Sequence, residues 1–257
     1  DQPVTLEGLT LVETRFDWQR GDLLLESSDQ RMDALVPVLL RSVQMCTHET
    51  FMDCPFYEQL MYLGDTRTQA LVAYTAFSNS ELMRKAVEIF RGSVHSNSTH
   101  LLNCAYPQTG GKLIPSFNFW WVGMVYDYAL WRGEKEFIRS LMPSVRFIMD
   151  SLLAQRDENG LVVNPEGWNY IDDGSSGYSA GIPEDNGRMV NCPYNLVAVL
   201  SLRYLMQLEE YVGEPLLAQR ADDMSRSLMR QVDKVFWDHE KNAYADDYAH
   251  SIYSEHS

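Results

Sequence analysis

The stretch "FMDCPFYEQLMYLGDTRTQAL" (residues 51–71) places acidic side chains among large aromatic and apolar ones. Its carboxylates are Asp53, Glu58 and Asp65. A solvated loop rarely carries so many large apolar side chains, and an apolar core excludes unpaired carboxylates. The stretch therefore indicates a site that holds acids against aromatic rings, and its glycine marks a helix boundary.

This glycine junction occurs three times along the chain. "YLGD" (62–65), "LWRGE" (130–134) and "YVGEP" (211–215) each place aromatic or apolar residues before a glycine and then an acid. Glycine adopts the left-handed conformation that ends many helices, and an acid suits the N-terminal dipole of the next helix. This loose repeat predicts helical hairpins.

The spacing of apolar residues at i, i+3 and i+4 agrees with that prediction. It predicts a first helix from Ser28 or Asp29 to Cys46 and further helices at about 66–78, 80–95, 117–132, 134–154, 191–212 and 214–236. Long loops at 97–116 and 157–190 lie between helices, and loops of that length are usually functional or disordered. The aromatic residues in them favour function.

The beginning of the chain has a different pattern. "LTLVETRF" (9–16) alternates as a strand does, and "GDLLLESS" (21–28) is a short extended run. We therefore expect residues 1–28 to be a β-rich segment that trails from an upstream β-domain, and residues 29–257 to form a helical domain.

Composition excludes several classes of protein. The formal charge of −15 and the isoelectric point near 4.7 argue against a nucleic-acid groove, which needs clustered Lys and Arg. No apolar run approaches the roughly 20 residues that span a bilayer, so we expect no membrane partner. The four cysteines include no CxxC pair, so we expect neither a metal nor another cofactor.

Glycoside cleavage is the chemistry that best fits carboxylates among aromatic rings. One protonated carboxyl donates to the leaving oxygen, a second carboxylate activates water or attacks the sugar, and aromatic rings face the sugar's apolar side. Structural explanations stay open at this point. Asp65 could cap a helix that begins near Thr66, and Asp53 and Glu58 could be turn and surface residues. Trp120 and Trp121, which with Trp168 could supply those rings, could instead belong to the core.

The stretch 51–71 resembles the start of the catalytic domain of the inverting α-L-rhamnosidases. The match includes Asp53-Cys54-Pro55, a glutamate five residues after that aspartate, and Gly64-Asp65. "LVETRF" (11–16), "IPSFNFWWV" (114–122), "WNYIDD" (168–173) and the terminal "YSEHS" (253–257) are also similar to segments of that family. The resemblance covers nearly the whole chain.

The resemblance implies a fold and a set of roles. Glu58 matches the general acid, and Asp53 and Asp65 match carboxylates that bind rhamnose hydroxyls. Trp121, Trp168 and Asp172 match sugar-contacting positions. The implied architecture is an all-α (α/α)₆ barrel, incomplete in this chain, and the implied partner is a rhamnose-containing glycoside, which would be cleaved with inversion.

Some positions depart from the family's pattern. Ser116 replaces a usual aspartate, Asp173 replaces a tryptophan, and Phe56-Tyr57 replaces an arginine that often precedes the glutamate. The sequence predicts about seven helices and the start of an eighth, whereas a closed (α/α)₆ barrel needs twelve, so we expect residues 1–257 alone to form an open helical arc. The family's general base lies well beyond residues 253–257, so we expect this arc to lack activity. Two carboxylates in 184–185 and one at Glu255 are loose substitutes for that base.

Three other functions remain open from the sequence. A non-catalytic sugar-binding protein on the same scaffold would keep the aromatic residues and tolerate the loss of Glu58. A polysaccharide lyase on a related α/α barrel would release unsaturated products. A helical interaction scaffold would use the loop aromatics in protein contacts and bind no sugar.

Overall fold

Helices form where the apolar spacing predicts them. The structure is a computed structural model that describes residues 4–5, 7–21, 27–96, 99–173, 177–183 and 189–257. The helices are α1 (Gln30–Met45), α2 (Leu63–Ala76), α3 (Glu81–Gly92), α4 (Pro115–Arg132), α5 (Lys135–Leu152), α6 (Cys192–Val212) and α7 (Pro215–Phe236). A short 3₁₀ turn, Ser93–Ser96, follows α3.

Strands are few within the described residues. β1 (Tyr178–Ser179) pairs antiparallel with β2 (Ile182–Pro183), and β3 (Trp237–Asp238) pairs antiparallel with β4 (Ala243–Tyr244). The all-α prediction is therefore confirmed. Among the described helices, none has both the length and the apolar character needed to cross a bilayer.

The helices form two layers. α4 packs between α2 and α6, and these three make the inner layer. α4 and α6 are apolar on most sides, as buried helices are. α3, α5 and α7 each bury one face against the inner helices, and α1 packs against α2. Consecutive helices are thus the outer and inner members of hairpins, as predicted.

Two of the three glycine junctions end a helix as predicted. Gly133 follows α4 with φ +80°, and Gly213 follows α6 with φ +95°. The prediction is wrong for Gly64, because α2 begins one residue earlier and encloses it. A β-carbon at Gly64 would lie 3.1 Å from Cζ of Phe117. This glycine therefore serves the close packing of α2 against α4 rather than a helix end.

The N-terminal segment does not form the predicted ladder. Its described residues, 4–5, 7–21 and 27–28, contain only an isolated bridge between Arg20 and Phe77. The Trp18 ring stacks on Phe77 at 4.6 Å, and its Nε1 donates to Oγ1 of Thr47 at 2.8 Å. Aromatic docking onto the ends of α1 and α2 thus takes the place of strand pairing. The run at 22–26 lies outside the described residues.

Candidate functional site

A cleft of about 540 Å³ opens between α2, α4 and the loop at 170–172. We call this space the α2–α4 cleft. Its α2 wall carries Gly64, Thr68 and Leu71, whose i, i+4, i+7 spacing places them on one helix face. The acidic and aromatic residues that line it are Asp65, Asp172, Phe117, Trp120 and Tyr170.

The loop at 170–172 is held against the start of α4. Ser116 Oγ donates to the backbone oxygen of Tyr170 at 2.5 Å. The rings of Phe117 and Tyr170 meet edge to face at 6.2 Å. These contacts fix the wall of the cleft opposite α2. Ser116, a departure from the family's pattern, therefore has a structural role here.

A second cavity of about 550 Å³ lies between residues 14–17 and α3. Its lining includes Lys85 and Glu49, which form an ion pair at 3.4 Å. None of the carboxylates of the 51–71 stretch lines it. The α2–α4 cleft is therefore the better candidate, because it contains both acids and several aromatic rings.

The segment before α2 is closed by hydrogen bonds around Asp53. The Asp53 amide donates to the Leu60 oxygen at 2.8 Å, and the Leu60 amide donates to Asp53 Oδ1 at 2.9 Å. The Glu58 amide donates to Cys54 Sγ at 3.4 Å. The Asp-Cys-Pro motif thus shapes a tight loop, and Glu58 lies on its exposed side.

Asp53 and Glu58 lie close enough to Asp65 for their charges to act on it. The pKa of Asp65 is raised, first by desolvation and then by the charges of Asp53 and Glu58. Solvent from the cleft reaches the Asp65 side chain, and surrounding protein still weakens its hydration. The pKa of Tyr62 is raised, first by its hydrogen bond with the Glu58 carboxylate and then by burial.

No cation compensates these charges within the described residues. Asp53, Glu58 and Asp65 form no ion pair there with Lys, Arg or His. Asp65 is the third residue of α2 and the N-cap is Tyr62. A hydrogen bond from its own backbone amide lowers the pKa of Asp65, as expected near a helix N-terminus, but desolvation outweighs it. Of the three carboxylates, Asp65 lines the α2–α4 cleft, whereas Asp53 and Glu58 lie on the loop that precedes α2. Acids without a cationic partner beside an aromatic cleft suit proton transfer and the binding of hydroxyl groups.

Asp172 lies in the same cleft as Asp65. Its Oδ1 accepts from the Asp173 amide at 2.8 Å and from the Tyr170 hydroxyl at 3.5 Å. Its Oδ2 lies 3.4 Å from His256 Nε2. The carboxylate is thus oriented from two sides while it lines the cleft.

Trp168 lies behind the cleft wall rather than in it. Its ring packs on Tyr170 at 4.9 Å, and Nε1 donates to the Ala180 oxygen at 2.8 Å. The Lys112 ammonium lies 3.7 Å from the centre of the Trp168 ring. Trp168 also packs in the apolar cluster that contains Tyr62.

The expectation that Trp121 faces the cleft is contradicted. Trp121 is 0% exposed, and its Nε1 donates to the Val87 oxygen at 3.1 Å. The next residue towards the helix start, Trp120, lines the cleft instead. One residue of helix is about 100° of rotation, so adjacent tryptophans face different surroundings. Matching the family's tryptophan could not decide which face of α4 meets the cleft.

Arg67 is a cleft residue that sequence reasoning missed. It lines the α2–α4 cleft and pairs with Asp127 of α4 at 2.9 Å. Its place two residues after Asp65 gave a weak signal, because its partners are 60 and 137 residues away. The carboxylates at 184–185 lie outside the described residues, and Glu255 is exposed near the end of the chain.

Residues 23–253 match the model of the bacterial alpha-L-rhamnosidase six-hairpin glycosidase domain. No curated protein sequence matches the chain.

Solved structures give the same fold. The chain is similar to a family GH78 rhamnosidase of Bacillus sp. GL1, with 27% identity and a TM-score of 0.76 over 86% of this chain and 22% of that one. It is similar to a Klebsiella oxytoca rhamnosidase with rhamnose bound, with 20% identity and a TM-score of 0.77 over 94% of this chain and 45% of that one. An Aspergillus terreus α-L-rhamnosidase matches with 16% identity and a TM-score of 0.71, over 87% and 26% of the two chains.

The chain thus spans less than half the length of each of these structures. The family model nevertheless covers most of its residues, and its helices form the hairpins that the model describes. The chain belongs to the family of bacterial α-L-rhamnosidase six-hairpin glycosidase domains.

Proposed function

We propose that the complete protein removes terminal α-L-rhamnose from a glycoside with inversion, and that this chain supplies its general acid and its sugar cleft. In this proposal residues 29–257 form the front of the catalytic barrel, and residues 1–28 lead from an upstream β-domain. The observation that carries the proposal is the group of uncompensated carboxylates beside an aromatic cleft in a member of this family.

Glu58 is the proposed general acid. It donates a proton to the leaving glycosidic oxygen while a second carboxylate, outside residues 1–257, takes a proton from the attacking water. The Glu58 carboxylate lies close enough to the Tyr62 hydroxyl to raise the pKa of that tyrosine, so Tyr62 is placed to orient it.

The remaining acids bind the sugar. Asp65 and Asp172 line the cleft and accept hydrogen bonds from rhamnose hydroxyls. Asp53 is fixed by the backbone of Leu60 and completes the acidic group. Trp120 offers its partly exposed ring to the apolar side of the sugar, and Trp168 supports the wall from behind.

The test is Glu58→Gln in the complete protein. We expect hydrolysis of an alkyl α-L-rhamnoside to fall by a factor on the order of 10² to 10⁴, the usual contribution of a general acid. A dinitrophenyl rhamnoside should be affected far less, because its leaving group needs no proton. Glu240→Gln, at an exposed turn between β3 and β4, is the control.

Two results would contradict the assignment. Near-normal hydrolysis of the alkyl rhamnoside by the Glu58→Gln variant would remove Glu58 from the mechanism. Binding of L-rhamnose by the wild-type protein with no turnover of either substrate would favour a non-catalytic sugar-binding protein.

A further inference from the structure

Arg67 brings a guanidinium group to the floor of the α2–α4 cleft. Its side chain is only 13% exposed, yet it is one of the residues that line the cleft. The side chain projects from α2 towards Asp127 of α4 and Tyr204 of α6. A cation this deeply enclosed needs compensation, because burial strongly disfavours a lone charge.

The contacts of Arg67 fix the orientation of its guanidinium. Nε donates to Asp127 Oδ2 at 2.9 Å, and Nη2 donates to the Tyr204 hydroxyl at 3.1 Å. The guanidinium carbon lies 5.2 Å from the centre of the Trp120 ring and 5.1 Å from that of Tyr204. A guanidinium that is already fixed by hydrogen bonds along one edge and by two neighbouring aromatic rings loses little conformational entropy when it binds a ligand.

Gly123 of α4 leaves the space that the Arg67 guanidinium occupies. A β-carbon at Gly123 would lie 2.5 Å from the guanidinium carbon of Arg67. Any other residue would displace the side chain from its place against the helix. Gly123 thus lets the guanidinium lie flat on α4, one turn after Trp120.

Nη1 is the part of the guanidinium without a partner. Among the described residues, Nη1 forms no ion pair or hydrogen bond. Nε donates to Asp127, and Nη2 donates to Asp127 and Tyr204. Nη1 is not among the buried polar atoms that lack a partner, so solvent reaches it. Asp127 already balances the charge of Arg67, and Asp65 adds negative charge to the cleft. The remaining donor therefore suits a neutral oxygen better than a carboxylate.

We propose that Arg67 is a sugar-binding residue of the cleft, and that its Nη1 donates to one hydroxyl of a neutral sugar. This inference rests on the proposed function, because the sugar is the terminal rhamnose of that reaction. The competing explanation is structural: the Arg67–Asp127–Tyr204 contacts join the three inner helices and bind no ligand.

Arg67→Lys in the complete protein separates the two explanations. An ammonium keeps an ion pair with Asp127, so the inner helices stay joined, but it lacks the second edge of the guanidinium. We expect kcat/KM for an alkyl α-L-rhamnoside to fall roughly 10- to 100-fold, chiefly through KM, as for the loss of a charged hydrogen bond. Arg146→Lys, which alters the Arg146–Glu209 pair between α5 and α6, is the matched control and should leave KM unchanged.

Binding of methyl α-L-rhamnoside and its 2-, 3- and 4-deoxy analogues then identifies the hydroxyl. For the wild-type protein, one analogue should bind more weakly than methyl α-L-rhamnoside. For the Arg67→Lys variant, that same analogue and methyl α-L-rhamnoside should bind equally well. Equal loss for every analogue in both proteins, or unchanged affinity in the variant, would overturn the role of Arg67. If the wild-type protein neither binds nor hydrolyses any rhamnoside, the proposed function and this inference both fail.

Discussion

Trp120 and Trp121 are neighbours in α4, yet they belong to two different regions of the molecule. Trp121 lies in the interior of the helix layers, where its indole nitrogen is hydrogen-bonded and no surface is exposed. Trp120 lies on the cleft. The same division holds for the acids. Glu209, 1% exposed, is paired with Arg146, whereas Asp65 on the cleft has no cationic partner among the described residues.

The difference shows how the fold separates stability from function. The buried Glu209 carboxylate has a cationic partner, because an unpaired charge in the core destabilises the folded state. Asp65 on the cleft, by contrast, has no cationic partner among the described residues. Residues that break the rules of a well-satisfied core and lie together in a cleft are where function is expected.

The largest expected effect is on stability, at Trp121. Trp121→Ala should lower the free energy of unfolding by about 4 kcal/mol, because it opens a cavity and removes the hydrogen bond to the Val87 oxygen. Trp120→Ala should cost about 1 kcal/mol and should weaken sugar binding. Urea denaturation and rhamnose titration of both variants check this. Equal destabilisation by the two substitutions would break the comparison.

The second effect concerns the compensated acid in the interior. Arg146 Nε and Nη2 each donate to Glu209 at 2.7 Å. Arg146→Met should destabilise the fold by about 3 kcal/mol, since it leaves a buried carboxylate unpaired.

The double variant Arg146→Met/Glu209→Leu supplies the control for that prediction. Removal of both charges should restore most of the lost stability. A single variant as stable as the wild type would show that Glu209 needs no compensation, and the contrast with Asp65 would lose its meaning.

The smallest effect is at Asp65 and has the opposite sign. The raised pKa means that the folded protein holds the Asp65 proton more tightly than the unfolded chain does, so stability falls as pH rises through that pKa. Asp65→Asn should therefore stabilise the fold at pH 7 by a few tenths of a kcal/mol, because solvent screens an exposed group. The gain should vanish below the ordinary aspartate pKa of 3.8.

Thermal unfolding at several pH values checks the Asp65 prediction. Asp33→Asn is the matched control, because Asp33 is an exposed aspartate in the first turn of α1. The Asp65→Asn variant should also bind rhamnose more weakly. A loss of stability at pH 7 that persists at pH 3 would show that Asp65 is a structural residue.

Much of the fold was predictable from the sequence, because the signals for it are local. Apolar spacing located seven helices, and glycine marked two of their ends, at Gly133 and Gly213. Gly64 was misread because its reason lies in Phe117, on another helix. The strand-like pattern of 9–16 was misread because alternation cannot reveal whether a partner strand exists.

Only the site residues that lie together in one sequence motif were predictable. The 51–71 stretch brings Asp53, Glu58 and Asp65 together through a single loop and helix start, so their proximity follows from sequence. Arg67 and Trp120 required the packing of α2 against α4 and α6. The roles of the predicted site residues stay predictions. Glu58 lies on an exposed loop, so it can be substituted without disturbing the core.

A structure of the complete protein with L-rhamnose tests the central claim most directly. We expect the sugar in the α2–α4 cleft, with its hydroxyls hydrogen-bonded to Asp65 and Asp172 and its apolar side on Trp120. The Glu58 carboxyl should face the oxygen of the anomeric carbon. Rhamnose bound elsewhere, with the cleft filled only by solvent and Glu58 turned away from the sugar, would contradict the account.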